Sequence, residues 1–414
     1  MGIIYNEKER VFHLTTPHSS YLIGLTDSEA FPTHLYYGPR VPDDDLKQLL
    51  WLGLGHPDSF ADTPYQVWYL SALPMEYPTG DVGDFREPCL SVETETGGRS
   101  CMLSCTGHRI FSGKPKLEGL PACFGSETDC TTLELICSDP VLGLEVSLYY
   151  SVFADNDAIC RSTRIRNHGT APLRLTEALS ACLDMPNRNY DVLTLHGSWS
   201  YERMQNRRPL TWGKQGVSSE RGISSHDEHP FIALMERTAT QTQGRVYAMN
   251  FVYSGNFIAQ AEMTQQEQLR LVMGIHPRGF CWTLAPDETF QTPEAVLVFS
   301  DQGLGGMTRT FHDLYRTHLT RGPYRNQPRP SLINNWEATY FDFNTEKLLS
   351  IIRTAAATGI EMFVLDDGWF GKRNIDNCSL GDWKVNEDKL PGGLGYLSDE
   401  IHRLGMKFGL WMEP

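Results

Sequence analysis

From the N-terminus to about residue 300, apolar positions alternate with polar ones in short runs. LELICS (133–138), LEVSLYYSVF (144–153), RVYAMNFVYS (245–254) and AVLVFS (295–300) are rich in β-branched and aromatic residues. Such runs suit pleated strands with one or both faces covered. Turn formers punctuate them in YPTGDVGD, RNHGTAP and LAPDET. Helical periodicity is scarce here, and no repeat of fixed period is present. The pattern predicts a large β-sandwich-like region.

The period changes near residue 305. Met307, Phe311, Leu314 and His318 follow helical spacing, and Tyr315 widens the stripe. RGPYRNQPRP follows, with Pro323, Pro328 and Pro330, and reads as a linker or extended crossing. The boundary is therefore placed after a helical linker near 305–325, giving domains 1–325 and 326–414. Beyond it the pattern reads strand (SLINNW), helix (NTEKLLSIIRTAAATG), strand (EMFVLDD), helix (YLSDEIHRLG), strand (KFGLW). Asn344 can cap the first helix and Gly359 can end it. Leu348, Ile351, Ile352 and Ala355 share its apolar face. Strands and helices alternating at this spacing predict βαβ units and a parallel sheet.

Composition narrows the class. The 414 residues are 40% hydrophobic and 21% charged, as in ordinary globular chains. The net charge of -15 opposes binding to nucleic acid or to anionic membrane surfaces. No secretory h-region and no run of eighteen apolar residues is visible. The ten cysteines are irregularly spaced and lack CxxC pairs, which points to reduced thiols and a cytoplasmic location. His226 and His229 read as a loop pair, and no metal or cofactor is expected.

Candidate chemistry gathers at the strand ends. The three late strands close in Asn334-Asn335-Trp336-Glu337, Asp366-Asp367-Gly368-Trp369 and Trp411-Met412-Glu413. Sites on parallel sheets form at the carboxyl ends of strands. The long loop from Gly368 to about Gly393 adds Asp382-Trp383. Carboxylates that accept from hydroxyls, with indoles able to cover a ring face, form the chemistry of sugar recognition. Asp366 and Asp367 could instead cap a helix, lie in a solvated loop or bind Mg²⁺, but no phosphate-cradling glycine loop or Walker lysine accompanies them.

INNWEATYFDFNTEKLL, FVLDDGWFG, SLGDWKVNEDKLPGGL and FGLWMEP resemble glycoside hydrolase family 36, specifically its bacterial-type α-galactosidases. GDFREP, HRIFSGKPKLEGLPA, SSHDEHPFIAL and FVYSGNF extend the resemblance over the whole chain. The resemblance implies a multidomain β plus α/β protein: a β-supersandwich followed by the first three strands of a (β/α)8 TIM barrel. It implies retaining hydrolysis of terminal α-galactosides such as melibiose and raffinose, in a homo-oligomer, a tetramer in related members. It assigns galactose hydroxyls O4 and O6 to Asp366 and Asp367, lays Trp411 against the sugar and has Trp336 line the pocket. Trp199, in HGSWSYERM, becomes a substrate contact, whereas by pattern alone it reads as core.

Two departures accompany the resemblance. The stretch WLGLGHPDSFADTPYQVW (51–68) does not show, at the expected places, the Asp and Arg that tetrameric members bring to a neighbour's site. A retaining glycosidase also needs two carboxyls about 5–5.5 Å apart, a nucleophile and an acid/base. Asp366, Asp367, Glu337 and Glu413 are the nearby carboxylates, yet the family's catalytic pair follows later barrel strands, beyond Pro414. The expectation is an N-terminal portion that is inactive alone. The alternatives are a non-catalytic galactose-binding fragment and a galactosyl transferase of the raffinose-forming type.

Overall fold

The alternating runs upstream of residue 300 form antiparallel strands. Cys130–Asp139 pairs with Leu144–Phe153, and Val246–Val252 pairs with Glu294–Ser300. The computed structural model describes residues 2–27, 29–50, 70–265 and 267–413. The stretch 51–68 named above therefore lies outside the described residues. Two units divide between Thr320 and Arg321, whereas the sequence pattern put the boundary at 325.

Among the described residues, the first unit holds three antiparallel sheets. Gly2–Asn6, Val11–Thr15, Ser19–Leu25 and Pro32–Pro39 pair in chain order. A six-stranded sheet is built around Leu173–Pro186, and a ten-stranded sheet runs from Met204–Pro209 to Ser104–Ser112. One buried cluster draws on all three sheets. Phe12 and Ile23 come from the first, Leu175, Ala181 and Leu271 from the second, and Leu133, Leu148, Ile232 and Leu297 from the third. Burying such side chains is worth roughly 25 cal/mol per Å² of apolar surface. It also fixes strand register, because a one-residue slip would turn every side chain outward.

The helix expected near residue 305 lies in the first unit, inside the domain that the sequence pattern ended at 325. Gly303–Leu314 buries Leu304, Met307, Phe311 and Leu314 against Ala233, Val246, Val296 and Val298. His318 is buried one turn further on. A stripe of four large apolar side chains needs a covering face, and the sheet supplies it.

In the second unit, Leu332–Asn334, Met362–Leu365 and Lys407–Leu410 pair as a parallel sheet in chain order. The helices Thr345–Ala357 and Gly393–Arg403 form the crossovers. Asn344 caps the first, its side chain accepting from the Lys347 amide. Leu348, Ile352, Leu397 and Ile401 bury themselves on Phe363 and Leu365 of the middle strand. Leu332 and Ile333 of the first strand remain exposed.

Candidate functional site: a carboxylate pair at the ends of parallel strands

The three strand ends are tied together by side-chain hydrogen bonds. The Asn334 amide donates to Asp366 Oδ2 at 2.7 Å, while its carbonyl oxygen accepts from the Trp336 amide at 3.1 Å. Asn335 is fully buried, and its carbonyl oxygen accepts from the Asp366 amide at 2.9 Å. Asp366 Oδ1 in turn accepts from the Asp367 amide at 2.8 Å. The Trp411 amide donates to the Leu365 carbonyl at 2.8 Å. Asp366, Asp367, Trp336 and Trp411 thus sit on connected backbone at one end of the sheet.

The two aspartates have different surroundings. Asp366 is half-buried, and each of its oxygens accepts one bond. Asp367 is buried and gripped by Arg373, whose Nε and Nη2 donate to Oδ1 and Oδ2 at 2.7 and 2.8 Å. The Gly368 amide adds a bond to Oδ1 at 2.7 Å. Bonding to Asp367 pushes Arg373 above its ordinary range. Lys389 braces the loop by donating to the carbonyls of Phe341, Gly368 and Arg373. Burial holds Lys389 below the usual lysine range, against the pull of Asp367 and Asp342.

Gly368 has two reasons to be glycine. Its φ is +92°, and a Cβ there would lie 2.9 Å from Phe341 Cδ1 and 3.3 Å from Phe343 Cε1. Tyr340 adopts a φ of 45° without that freedom, at the end of the short helix Trp336–Thr339. Such a conformation in a bulky residue costs about 1–3 kcal/mol. Trp336 packs edge-on against Tyr340 and Phe341, at 5.2 and 5.0 Å between centroids. Glu337 bonds the Tyr340 hydroxyl and pushes its pKa up.

The indoles do not all serve the end of the sheet as flat apolar surface. Trp369 is core: it is 3% exposed, and its Nε1 donates to the Trp411 carbonyl at 2.9 Å. Trp383 stacks on it at 6.3 Å and packs on Phe370. Trp411 is half-buried and parallel to Phe370, with 9° between planes. Trp199 belongs to the first unit and is 82% exposed, which overturns the core reading of its sequence pattern. It lies in the turn between Tyr190–His196 and Met204–Pro209, left exposed by the described residues.

Arg373 and Lys389 escaped the sequence reading. A cation six residues after Asp367 was the available signal, but loop sequence does not tell a buried arginine from a solvated one. Among the described residues, two groups of three potential ligand atoms could reach a common cation: Cys123, Cys160 and Glu294, and Glu9, Asp44 and Asp45. Lys114 already pairs with Glu294 in the first at 2.5 Å. His226 and His229 belong to neither group.

A parallel sheet whose strand ends carry paired carboxylates beside indoles can accept hydrogen bonds from ligand hydroxyls. The chain matches the Glycosyl hydrolase family 36 N-terminal domain over residues 30–285 and the Melibiase domain over residues 289–414. It belongs to glycosyl hydrolase family 36. It is 47% identical to alpha-galactosidase AgaA of Geobacillus stearothermophilus over 416 aligned residues, covering 100% of this chain and 57% of AgaA. The crystal structure of alpha-galactosidase AgaB from the same organism superposes with a TM-score of 0.94 at 47% identity, over 100% of this chain and 57% of that one. A variant of AgaA in complex with raffinose superposes at 0.93 and 47% identity, over 98% of this chain and 56% of that one. The chain thus spans little more than half the length of these relatives. No helix among the described residues is long and apolar enough to cross a membrane.

Proposed function

We propose that this chain is the N-terminal part of a retaining α-galactosidase acting on terminal α-D-galactose in oligosaccharides of the raffinose kind. In this reading the first unit is a β-supersandwich, and the three parallel strands open a (β/α)8 barrel. Asp366 and Asp367 accept from galactose hydroxyls, with Trp336 and Trp411 as apolar contacts. The nucleophile and acid/base lie beyond residue 414, so these residues alone bind without hydrolysing. The full-length protein works as a homo-oligomer, and ten free cysteines, seven of them buried, suit a reducing cytoplasm.

The carboxylate pair carries this reading. It is held by Asn334, Asn335 and Arg373, yet it retains acceptor positions at the end of a parallel sheet. A charged hydrogen bond is worth about 1.5–3 kcal/mol. In the full-length protein, Asp366→Asn should therefore lower kcat/KM on an aryl α-galactoside about tenfold to a hundredfold. An unchanged kcat/KM removes Asp366 from the site, and an inactive wild type removes the hydrolase reading.

A further inference from the structure

We propose that Arg373 is a positioning residue for this site: it locks Asp367 so that one acceptor direction, on Oδ2, is left for one ligand hydroxyl. The proposal rests on the sugar-binding reading above and deepens it. A carboxylate has about four lone-pair positions. Oδ1 of Asp367 uses both of its positions, on the Gly368 amide and Arg373 Nε. Oδ2 uses one, on Arg373 Nη2. The guanidinium is fixed from its far side as well, where Nη1 donates to the carbonyls of Asp376 and Cys378 at 2.7 and 2.8 Å. Its planar fork therefore sets the carboxylate's orientation, which a single-point lysine ammonium could not do.

Asp366 differs, because each of its oxygens is bonded once. The pair offers three open positions, one on Asp367 and two on Asp366. Asp367 becomes a one-hydroxyl reader, and Arg373 determines which orientation of that hydroxyl is accepted. The competing role is a loop staple, with Arg373 doing no more than folding residues 368–392 onto the strand end.

Hydroxyl deletion separates the two roles. In the full-length protein, wild type and Arg373→Lys are compared on an aryl α-galactoside and its monodeoxy counterparts. Arg373→Lys should lower kcat/KM about tenfold or more on the parent sugar. It should have little effect on the one counterpart that lacks the hydroxyl read by Asp367. Equal losses on every substrate make Arg373 a staple and overturn the proposal. If Arg373→Lys does not fold, a crystal structure of the wild type with galactose decides. One hydroxyl on Asp367 Oδ2 with Arg373 still bound to both oxygens supports the proposal, and no hydroxyl or two on Asp367 overturns it. Failure of the functional reading is distinguishable, because the wild type would then turn over no galactoside; the proposal falls with it.

Discussion

Both units bury aspartates against arginine, and the two settings leave different numbers of acceptors open. In the first unit, Asp84 and Asp184 lie between Arg86 and Arg270. Asp184 accepts from Arg270 through both oxygens, and from Arg86 and the Met75 amide through Oδ2. Asp84 accepts from Arg86 Nε and the Arg86 amide through Oδ1, and from Arg86 Nη2 and Arg270 through Oδ2. Burial pushes Asp184 up, but Arg270 and Arg86 outweigh it and hold the carboxyl below its usual range. Asp184 and Arg270 face each other across neighbouring strands, and both are buried. Asp367 follows the end of its strand, meets one arginine and keeps a position free. The same ion-pair chemistry fills the carboxylate inside a sheet and leaves an acceptor position open at its end.

Three substitutions test this contrast. The largest effect belongs to the first unit. Arg270→Met leaves Asp184 and Asp84 buried with too few donors, at a cost of about 3–5 kcal/mol. Urea unfolding should show that loss. A variant as stable as the wild type would mean that the network is not architectural.

Glu177 comes next. It is 7% exposed, its Oε1 has no partner, and burial followed by the nearby Glu87 raises its pKa to about 8. Its folded pKa exceeds the unfolded value of about 4.3. The stability it contributes is therefore complete below that unfolded value and is lost as pH rises through about 8. Glu177→Gln should stabilise the protein by about 1–3 kcal/mol at high pH and have little effect near pH 4. A pH-independent difference would show that Glu177 titrates normally. A carboxylate buried mid-sheet without an arginine would then be tolerated, weakening the contrast with Asp184.

The smallest effect is in the second unit. Asn344→Ala removes the cap that accepts from the Lys347 amide and should cost about 1 kcal/mol. Because the cap touches neither aspartate, KM and kcat of the full-length protein should stay unchanged. Altered kinetics would show that the open acceptors depend on the helix as well as on Arg373.

Much of the second unit was legible because its signals are local. The Asn344 cap, the Leu348/Ile352/Ala355 stripe and the acids after FVL each act within a few residues, and the structure realises them as helix, buried face and strand end. The first unit's strands were legible one at a time from their alternation. Their pairing was not: Asp184 and Arg270 are 86 residues apart, and no short window links them. Trp199 and Trp369 make the same point in opposite directions. Each follows a small residue, Ser198 or Gly368, yet one is 82% exposed and the other 3%. Periodicity reports which face a side chain takes on its own element, whereas coverage depends on which other elements arrive there. Element types, the acids after the strands and the family are legible in local stretches of the chain. That Arg373 turns back to grip Asp367 emerges only in the folded protein, because a buried ion pair requires desolvation from all sides, and distant segments must supply it together.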